Sequence, residues 1–277
     1  MTVIGFLHPG SMGATLAATA DATRLWAGDG RSAATRERAE AAGLVDAGDL
    51  AELCRRSDVI VSICPPAAAV EVAESVVATG FDGPYVDANA IAPATAAHIG
   101  GLVGQRYIDG GVIGPPARRP GTTRLYLSGP GSTELAARWA GSALDVVALS
   151  ERPGDTAASA LKMAYAGWTK GSSALLLAIS AMAERSGVLD ALHAEWNLSQ
   201  PGLVERSAGT AAGSGPKAWR WVGEMAQIAA SMDAAGLPAG FHEGAGEVFE
   251  QLADFKDGPG PDLADTLAAL LDSSGTS

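Results

Sequence analysis

Cysteine and basic side chains are both scarce in this sequence. Its 277 residues include two cysteines, Cys54 and Cys64, which are too few for a disulfide framework or a cysteine-based metal cluster. The 19 lysines and arginines are outnumbered by 31 acidic residues, and the formal net charge is −12. Because nucleic-acid phosphates and anionic membranes both attract basic surfaces, this balance argues against either partner. We therefore expect a protein of a reducing compartment that binds neither nucleic acid nor membranes and holds no metal.

The chain also lacks a long hydrophobic run. No apolar segment approaches the ~20 residues that a membrane-spanning helix needs, and the apolar start at Val3–Leu7 is too short for a signal peptide. Apolar residues nevertheless make up 47% of the sequence, which is enough to bury a sizeable core. These features predict a soluble, cytoplasmic protein with a globular core.

The first half contains an alternation of strand and helix signals. Short apolar runs such as Val3–Leu7, 58–63 and 85–88 alternate with segments of helical composition. Such alternation is typical of βαβ units around a parallel sheet that is buried on both faces. We predict an α/β domain with a mostly parallel sheet over residues 1–152.

The second half has helical signals and no strand signals. A Pro-Gly pair at 153–154 is followed by residues 156–185, which contain no proline and few glycines. We predict one long helix here that joins the first domain to an all-α domain over residues 153–277. The last residues, 272–277, are expected to fray.

A glycine-rich turn follows the first predicted strand and precedes a helix. In dinucleotide-binding turns of the form G-x-G-x-x-G, the second glycine lets the backbone approach a pyrophosphate and the third lets helix and strand pack closely. Gly10 and Gly13 fill these two positions, whereas His8 stands in place of the first glycine. Amides at the start of a helix bind phosphates. We therefore predict cofactor binding at Gly10, Ser11, Met12 and Gly13; the alternative is a tight turn without a ligand.

The loop after the second predicted strand bears on which dinucleotide would bind. An acidic side chain at the end of this strand bonds a ribose 2′-hydroxyl, and an arginine nearby accommodates a 2′-phosphate. Gly28 directly follows the strand, and Arg31 together with Ser32 suits a phosphate. This pattern favours NADP, while Asp29 keeps NAD possible by offering a carboxylate to the hydroxyl. An ordinary surface turn is the alternative.

These and later segments resemble one protein family. The string from Gly5 to Gly13, Gly-Phe-Leu-x-x-Gly-x-Met-Gly, resembles the fingerprint of the 6-phosphogluconate and β-hydroxyacid dehydrogenase superfamily, whose relatives include the imine reductases. The particular residues in some segments resemble one branch of this superfamily, which has its own C-terminal helical domain and mostly unassigned substrates. The resemblance implies a Rossmann domain, a long interdomain helix, a helical domain, and a homodimer formed through the helical domains. The further matching segments are 58–65, 85–93, 109–115 and 159–163 for the superfamily, and 162–170, 199–202 and 219–225 for the branch.

The resemblance also implies roles for particular residues. One turn would lie beneath the nicotinamide ribose, and a lysine at the start of the long helix would be catalytic. The tripeptide 113–115 reads Ile-Gly-Pro where the family usually has Ser-Gly-Gly, and Ala166 replaces an asparagine one helical turn after the lysine. The implied residues are Cys64, Pro65, Pro66 and Asn89 for the cofactor, Gly114 and Pro115 for the substrate, and Lys162 for catalysis.

Lys162 is also the strongest catalytic candidate by its own surroundings. It lies in an apolar stretch, and lysines that are removed from water exchange a proton near neutrality. Tyr165 lies one helical turn further on and is a second proton donor or a polar partner in this interpretation. The alternatives are a lysine that extends from its helix into water and an ordinary packed tyrosine.

Aromatic and charged side chains of the second half are candidates for substrate binding. Trp168 lies on the long helix, and Trp221 and Glu224 lie in a later cluster. They would suit an apolar or aromatic substrate with Glu224 as its polar anchor. The alternative is a place in the core or in the dimer interface, where tryptophan is common.

The sequence therefore predicts an NADP-dependent oxidoreductase similar to β-hydroxyacid dehydrogenases. It would transfer a hydride between nicotinamide and a small hydroxyl or carbonyl compound, with Lys162 as proton donor or acceptor. The altered substrate segment keeps an imine reductase-like enzyme as an alternative. The missing serine and asparagine keep a second alternative, a nucleotide-binding dimer without catalytic activity.

Overall fold

The chain divides into two compact units. The structure, a computed structural model, describes residues 1–256 and 258–272. The first unit is Met1–Met163, and the second begins at Ala164. The boundary predicted at residue 152 falls earlier, because the first turns of the long helix pack with the first unit.

The first unit is an α/β domain in which strands and helices alternate, as predicted. The strand after the third helix, Val59–Ser62, contains three β-branched residues, which favour strand structure, and all four of its residues are buried. The elements in chain order are β1 Val3–Leu7, α1 Ser11–Thr19, β2 Thr23–Trp26, α2 Ala33–Ala41, β3 Val45–Asp46, α3 Leu50–Arg56, β4 Val59–Ser62, α4 Ala69–Ala78, β5 Tyr85–Asp87, α5 Pro93–Val103, β6 Tyr107–Ile113, β7 Thr123–Ser128, α6 Ser132–Ala136 and β8 Leu144–Ser150.

The strands form one sheet in the order β3-β2-β1-β4-β5-β6-β7-β8. All neighbouring pairs are parallel except β6 with β7, which are antiparallel. The chain builds β2 and β3 on one side of β1 and then β4, β5 and β6 on the other side. Open α/β sheets bind ligands at such a reversal, outside the carboxyl ends of the strands. The predicted, mostly parallel Rossmann-type sheet is confirmed.

Two apolar cores cover the two faces of the sheet. Successive residues of a strand point to opposite faces, so Phe6 belongs to one core and Leu7 to the other. Val61 and Ile60 of β4 divide in the same way. Since both faces are filled with apolar side chains, polar residues are left for the ends of the strands.

The sequence does not predict the two edge strands or the short helix α6. β3 has two residues, Val45–Asp46, and shows no periodicity of its own. β8, Leu144–Ser150, does alternate between more buried and more exposed residues, and this pattern is a signal that could have identified it. The sheet therefore extends beyond the strand 124–128 with which the predicted series ended.

The second unit is helical throughout its described residues, as predicted. The long helix α7, Ala157–Arg185, begins in the first unit and continues into the second. None of the described helices is long and apolar enough to cross a membrane. The fraying expected at 272–277 falls outside the described residues, apart from Asp272 at the end of the last helix. The remaining helices are α8 Leu189–Ser199, α9 Leu203–Ser214, α10 Ala218–Ala234, α11 Gly240–Gln251 and α12 Leu263–Asp272, the last of which the sequence does not predict.

Candidate functional site

The glycine turn joins β1 to α1 and leaves its backbone open to a ligand. Gly10 is the N-cap of α1, and none of the described side chains caps this helix. A side-chain carbon built on Gly10 would lie 3.9 Å from its nearest neighbour, the carbonyl oxygen of His8. A side-chain carbon built on Gly13 would lie closer to the same oxygen, at 3.3 Å. Gly13 is therefore needed for close packing, while Gly10 keeps space open in front of the first helical amides. Ser11 and Met12 carry two of these amides, in the position expected for phosphate binding.

His8 has a backbone conformation that side chains rarely adopt. Its φ is 57°, and among the described residues it is the only one besides glycines with a φ in this region. The N–H of Gly10 donates to the His8 carbonyl at 2.6 Å, which closes the turn. A left-handed conformation costs an ordinary residue ~1–2 kcal/mol, and strain of this kind clusters at functional sites.

The imidazole of His8 is neutral and lacks a partner at one nitrogen. No described atom forms a hydrogen bond with its buried Nδ1. Burial, together with the positive charge of Arg31, lowers the pKa of His8 from 6.5 to about 4. A histidine with this pKa carries no charge at pH 7.

Arg31 and Ser32, both predicted to bind a phosphate, have different surroundings. The Nε of Arg31 is buried, and no described atom accepts a hydrogen bond from it. Ser32 is the N-cap of α2 and accepts a hydrogen bond from the N–H of Thr35 at 3.3 Å. Arg31 therefore keeps a donor for an anionic group, whereas Ser32 has a structural role in the helix.

A carboxylate that the sequence does not single out, Asp46 of β3, lies beside the end of β2. Oδ1 of Asp46 accepts a hydrogen bond from the N–H of Gly28 at 3.1 Å, and Oδ2 pairs with Arg36 at 3.1 Å. A side-chain carbon on Gly28 would come within 2.1 Å of Asp46. Asp46 thus fills the space that a side chain at position 28 would need. Its position follows from the pairing of β3 with β2, which the sequence does not predict.

The turn after β4 is bonded to the loop after β5. The N–H of Cys64 donates to Oδ1 of Asn89 at 2.5 Å, and Nδ2 of Asn89 donates to Ser62 Oγ at 3.3 Å. Burial raises the pKa of the Cys64 thiol to about 11, so the thiol stays protonated. Pro65 follows directly, and Pro66 begins a short helical turn. The structure thus brings these predicted cofactor residues together at the carboxyl ends of β4 and β5.

Two carboxyl groups are buried side by side next to these loops. Asp87 of β5 and Asp109 of β6 face each other in the sheet register. Burial raises the pKa of Asp87 to about 7 and that of Asp109 to about 6. Oδ1 of Asp87 accepts from the N–H of Asn89 at 3.0 Å, while no described atom forms a hydrogen bond with Oδ2. No local sequence pattern identifies this pair, because its burial results from the pairing of β5 with β6.

Lys162 lies near the start of α7, where the helix is anchored to β6. Ser159, three residues earlier, donates its N–H to Asp109 at 2.8 Å and its hydroxyl to the other oxygen of the same carboxylate. A side-chain carbon on Gly111 would lie 3.1 Å from Cβ of Lys162, so the helix packs directly against the strand. The sheet of the first unit therefore fixes the position of Lys162 over β6.

The predicted substrate segment leaves β6 in a sharp turn. Gly114 has a φ of 122°, and a side-chain carbon there would lie 2.3 Å from the carbonyl oxygen of Thr122. The carbonyl of Pro115 accepts a hydrogen bond from the Thr123 hydroxyl at 2.6 Å. The backbone thus requires Gly114, and Pro115 offers no N–H to a substrate carboxylate.

Tyr165 and Trp168 follow Lys162 along α7 and belong to the second unit. Their side chains are exposed, with relative accessibilities of 47% and 71%. They are part of a row spaced alternately four and three residues apart, which places its members along one face of a helix. This α7 apolar row is exposed or half-buried throughout and is apolar except at Ser172. It consists of Tyr165, Trp168, Ser172, Leu175, Ile179 and Met182.

Trp221 and Glu224 already have partners inside the second unit. Glu224 pairs with Lys170, whose ammonium lies 5.3 Å from the ring centre of Trp221. Trp221 contacts Phe249 edge-on, with ring centres 5.0 Å apart. These contacts favour a role in the packing of the helices over the predicted role of Glu224 as a substrate anchor, since its carboxylate already has a cation.

Metal ligands are not grouped in the part of the chain that the structure describes. No three His, Cys, Asp or Glu side chains there could jointly hold a metal ion. The candidate site in the first unit is therefore made of helix-start amides, a guanidinium, a buried amide side chain and the Lys162 amine.

Comparison with known proteins identifies relatives of this chain. Residues 183–252 match a family model described as a domain of unknown function, DUF1932. A curated relative from Methanothermus fervidus, an uncharacterized 28.5 kDa protein, is 28% identical over 165 residues. The match covers 59% of this chain and 62% of the relative, so the chain spans less than two thirds of that protein.

Solved structures with the same fold cover nearly the whole chain. A conserved hypothetical protein from Sinorhizobium meliloti is 25% identical over 98% of this chain and 96% of its own, with a TM-score of 0.72. A 3-hydroxyisobutyrate dehydrogenase from Mycobacterium tuberculosis, solved with L-serine, is 17% identical over 98% and 99%, with a TM-score of 0.69. An imine reductase variant from Myxococcus stipitatus, solved with NAD+, is 18% identical over 98% and 100%, with a TM-score of 0.54.

These neighbours confirm the predicted resemblance. The proteins of the same fold are 3-hydroxyacid dehydrogenase-like proteins and imine reductases. The matched domain of unknown function falls within the helical second unit. The predicted pairing of a Rossmann-type domain with a helical C-terminal region is therefore correct.

Replacing Asp87 with asparagine should stabilise the protein at neutral and alkaline pH. Because burial raises the pKa of Asp87 from 3.8 to about 7, its contribution to stability is present below about pH 4 and is lost as the pH rises through 7. D87N should therefore raise the free energy of unfolding by ~2–4 kcal/mol at pH 8 and by much less at pH 4.5. Urea unfolding at both pH values measures this difference.

The exposed carboxylate of Asp21 provides the matched control, D21N, which makes the same substitution outside the buried pair. An effect of D87N that is the same at pH 4.5 and pH 8 would contradict the assignment of a buried, easily protonated carboxyl group.

Proposed function

We propose that this protein is an NADP-dependent oxidoreductase similar to β-hydroxyacid dehydrogenases. It transfers a hydride between nicotinamide and a small organic hydroxyl or carbonyl compound. The main support for the proposal is that the candidate residues lie at or beside the carboxyl ends of neighbouring strands. The glycine turn follows β1, the bonded residues Cys64 and Asn89 follow β4 and β5, and Lys162 packs on β6.

The residues at the glycine turn fit a dinucleotide. The first turn of α1 has no side-chain cap among the described residues, and the space in front of Gly10 is open, which suits a pyrophosphate. The turn also lies where the strand order reverses, between β1 and β4. The imine reductase neighbour that was solved with NAD+ supports a nicotinamide cofactor for this fold. We assign cofactor binding to Gly10, Ser11, Met12 and Gly13, with Cys64, Pro65, Pro66 and Asn89 at the nicotinamide end.

Arg31 supports NADP over NAD. It is the cation of the loop after β2, and its buried Nε has no hydrogen-bond acceptor among the described residues. A 2′-phosphate would supply that acceptor, and guanidinium–phosphate contacts are strong because both groups are charged. A carboxylate that could bond a 2′-hydroxyl is absent at Gly28. Asp46 faces this position, but its two oxygens are held by Gly28 and Arg36.

Lys162 holds the proton in the proposed reaction. A bound nicotinamide supplies or accepts the hydride. Lys162 gives a proton to the substrate oxygen on reduction and takes it back on oxidation. It thus acts as a general acid in one direction and as a general base in the other. The bonds between Ser159 and Asp109 keep the lysine at that position.

The substrate differs from those held by a Ser-Gly-Gly segment. Gly114 is needed for the backbone turn, Pro115 has no N–H, and the carbonyl of Pro115 is occupied by Thr123. A carboxylate would thus find neither the hydroxyl nor the second amide of the usual segment. This departure also favours the second candidate, an imine reductase-like enzyme, whose substrate needs no carboxylate pocket.

We further propose that the protein is a cytoplasmic homodimer that forms through its second unit. The α7 apolar row exposes large side chains from Tyr165 to Met182 along one face of a single helix. Its alternating four-and-three spacing is that of helices that pack against a partner helix. A second copy supplies an identical row, so the interface can be self-complementary about a two-fold axis. Both cysteines are free thiols, which suits a reducing compartment.

Binding of NADPH should be tighter than binding of NADH, and the difference should depend on Arg31. We expect R31A to weaken NADPH binding about tenfold or more, through loss of a charge-assisted contact, and to change NADH binding less than twofold, roughly. Isothermal titration or quenching of tryptophan fluorescence measures both. R56A, which changes an exposed arginine at the end of α3, is the control. Wild-type protein that binds neither cofactor would refute the proposed function.

Removing the amine of Lys162 should abolish turnover without loss of cofactor. We expect K162A to retain the wild-type affinity for NADPH and to lose ~100- to 10,000-fold in kcat, because proton transfer contributes a factor of this size. Cofactor absorbance over a panel of hydroxy acids, alcohols, aldehydes and cyclic imines identifies a substrate for the assay. K217A, at an exposed lysine, is the control. Wild-type protein that binds NADPH but converts no compound of the panel would support the non-catalytic dimer instead.

Charges placed in the α7 apolar row should dissociate the dimer. We expect wild-type protein to show about twice the 27.9 kDa chain mass in light scattering, and W168E and M182E to show the mass of one chain. L198E introduces the same charge at a leucine on α8 that is 81% exposed and lies outside the row. This control should remain dimeric. Dimers that survive both row substitutions would exclude this interface.

A further inference from the structure

We propose that His8 belongs to the cofactor site and binds a phosphoryl group of the dinucleotide. The proposal rests on the proposed function, since it concerns how the same cofactor is recognised. It begins from the one position in the described chain where a residue other than glycine has a φ between +20° and +160°. Glycine would adopt this conformation without strain, so the imidazole is retained at a cost in stability.

The surroundings of His8 indicate what the imidazole recognises. Its Nδ1 is buried and has no partner among the described atoms, and the same is true of Nε of Arg31. These two nitrogens are electrostatically coupled. Because a buried polar group without a hydrogen bond is costly, we expect both nitrogens to bind the oxygens of an anion. The phosphoryl oxygens of a dinucleotide are the acceptors that this turn would bring to them.

The charge on the imidazole should change when the anion binds. Without a ligand, burial and Arg31 keep the pKa of His8 at about 4. The charged groups around the turn are Arg31 in the loop after β2 and Arg38 of α2, which donates to the Pro9 carbonyl at 3.4 Å; α1 carries no charged residue. A bound phosphoryl group adds negative charge and so raises the pKa of His8 toward neutrality. Binding then takes up a proton, and the affinity rises as the pH falls.

The test compares binding of NADP+ and NAD+ to wild-type protein, H8G and H8N by isothermal titration. H8G supplies the residue that the backbone prefers, and H8N supplies a polar side chain that tolerates the left-handed conformation. We expect both variants to bind more weakly, by about tenfold or more for H8G. We also expect H8G to melt at a higher temperature than wild type, because it relieves the backbone strain. H98N, at an exposed histidine of α5, is the matched control.

The two cofactors identify the phosphoryl group. Weaker binding of NADP+ alone assigns His8 to the 2′-phosphate, and weaker binding of both assigns it to the pyrophosphate. Wild-type affinity should rise severalfold from pH 8 to pH 6, roughly, with proton uptake seen as a dependence on the buffer's ionisation enthalpy, and H8G should lose both effects.

A purely structural role for His8 gives a different result. H8G would then be more stable and would bind both cofactors as wild type does at either pH, which would overturn the inference while leaving the proposed function intact. If wild-type protein binds neither cofactor, both the proposed function and this inference fall.

Discussion

The carboxylate of Asp109 joins the sheet to the helix that carries Lys162. It accepts both the N–H and the hydroxyl of Ser159, and so satisfies a donor that the first turn of a helix leaves open. The N–H of Ala158 is satisfied by the Ser128 hydroxyl of β7 in the same way. These bonds are buried, so water cannot replace a lost acceptor. The position of the proposed proton donor therefore depends on hydrogen bonds made by residues that take no part in the chemistry.

Close contact between backbones makes this joint possible. A side-chain carbon on Gly111 would lie 2.6 Å from the carbonyl oxygen of Ala158, and one on Gly110 would lie 2.9 Å from the carbonyl oxygen of Asp87. Side chains at either position would separate α7 from β6 or β6 from β5. The two glycines therefore allow β6 to lie close to both the end of β5 and the start of α7.

Local patterns predict the fold and the glycine turn, whereas the electrostatics of the site depends on distant pairing. The alternation of apolar runs with helical segments, and the spacing of Gly10 and Gly13, can be read from short stretches of sequence. The structure shows the alternating elements and a strand–turn–helix at these glycines. The burial of Asp87 is different, because it follows from the register of β5 against β6. The ion pair of Glu224 with Lys170 joins two helices that are far apart in sequence, so no short stretch of sequence contains both residues.

The contact between Gly28 and Asp46 has a consequence for how this chain can change. An acidic side chain at position 28 would favour a ribose hydroxyl, but its first carbon would lie 2.1 Å from Asp46 Oδ2. Removing Asp46 alone would leave Arg36 without its carboxylate. The effects of substitutions at the two positions are therefore coupled and not additive. Under the proposed function, a change of dinucleotide at this position would therefore require substitutions both in the loop after β2 and in β3.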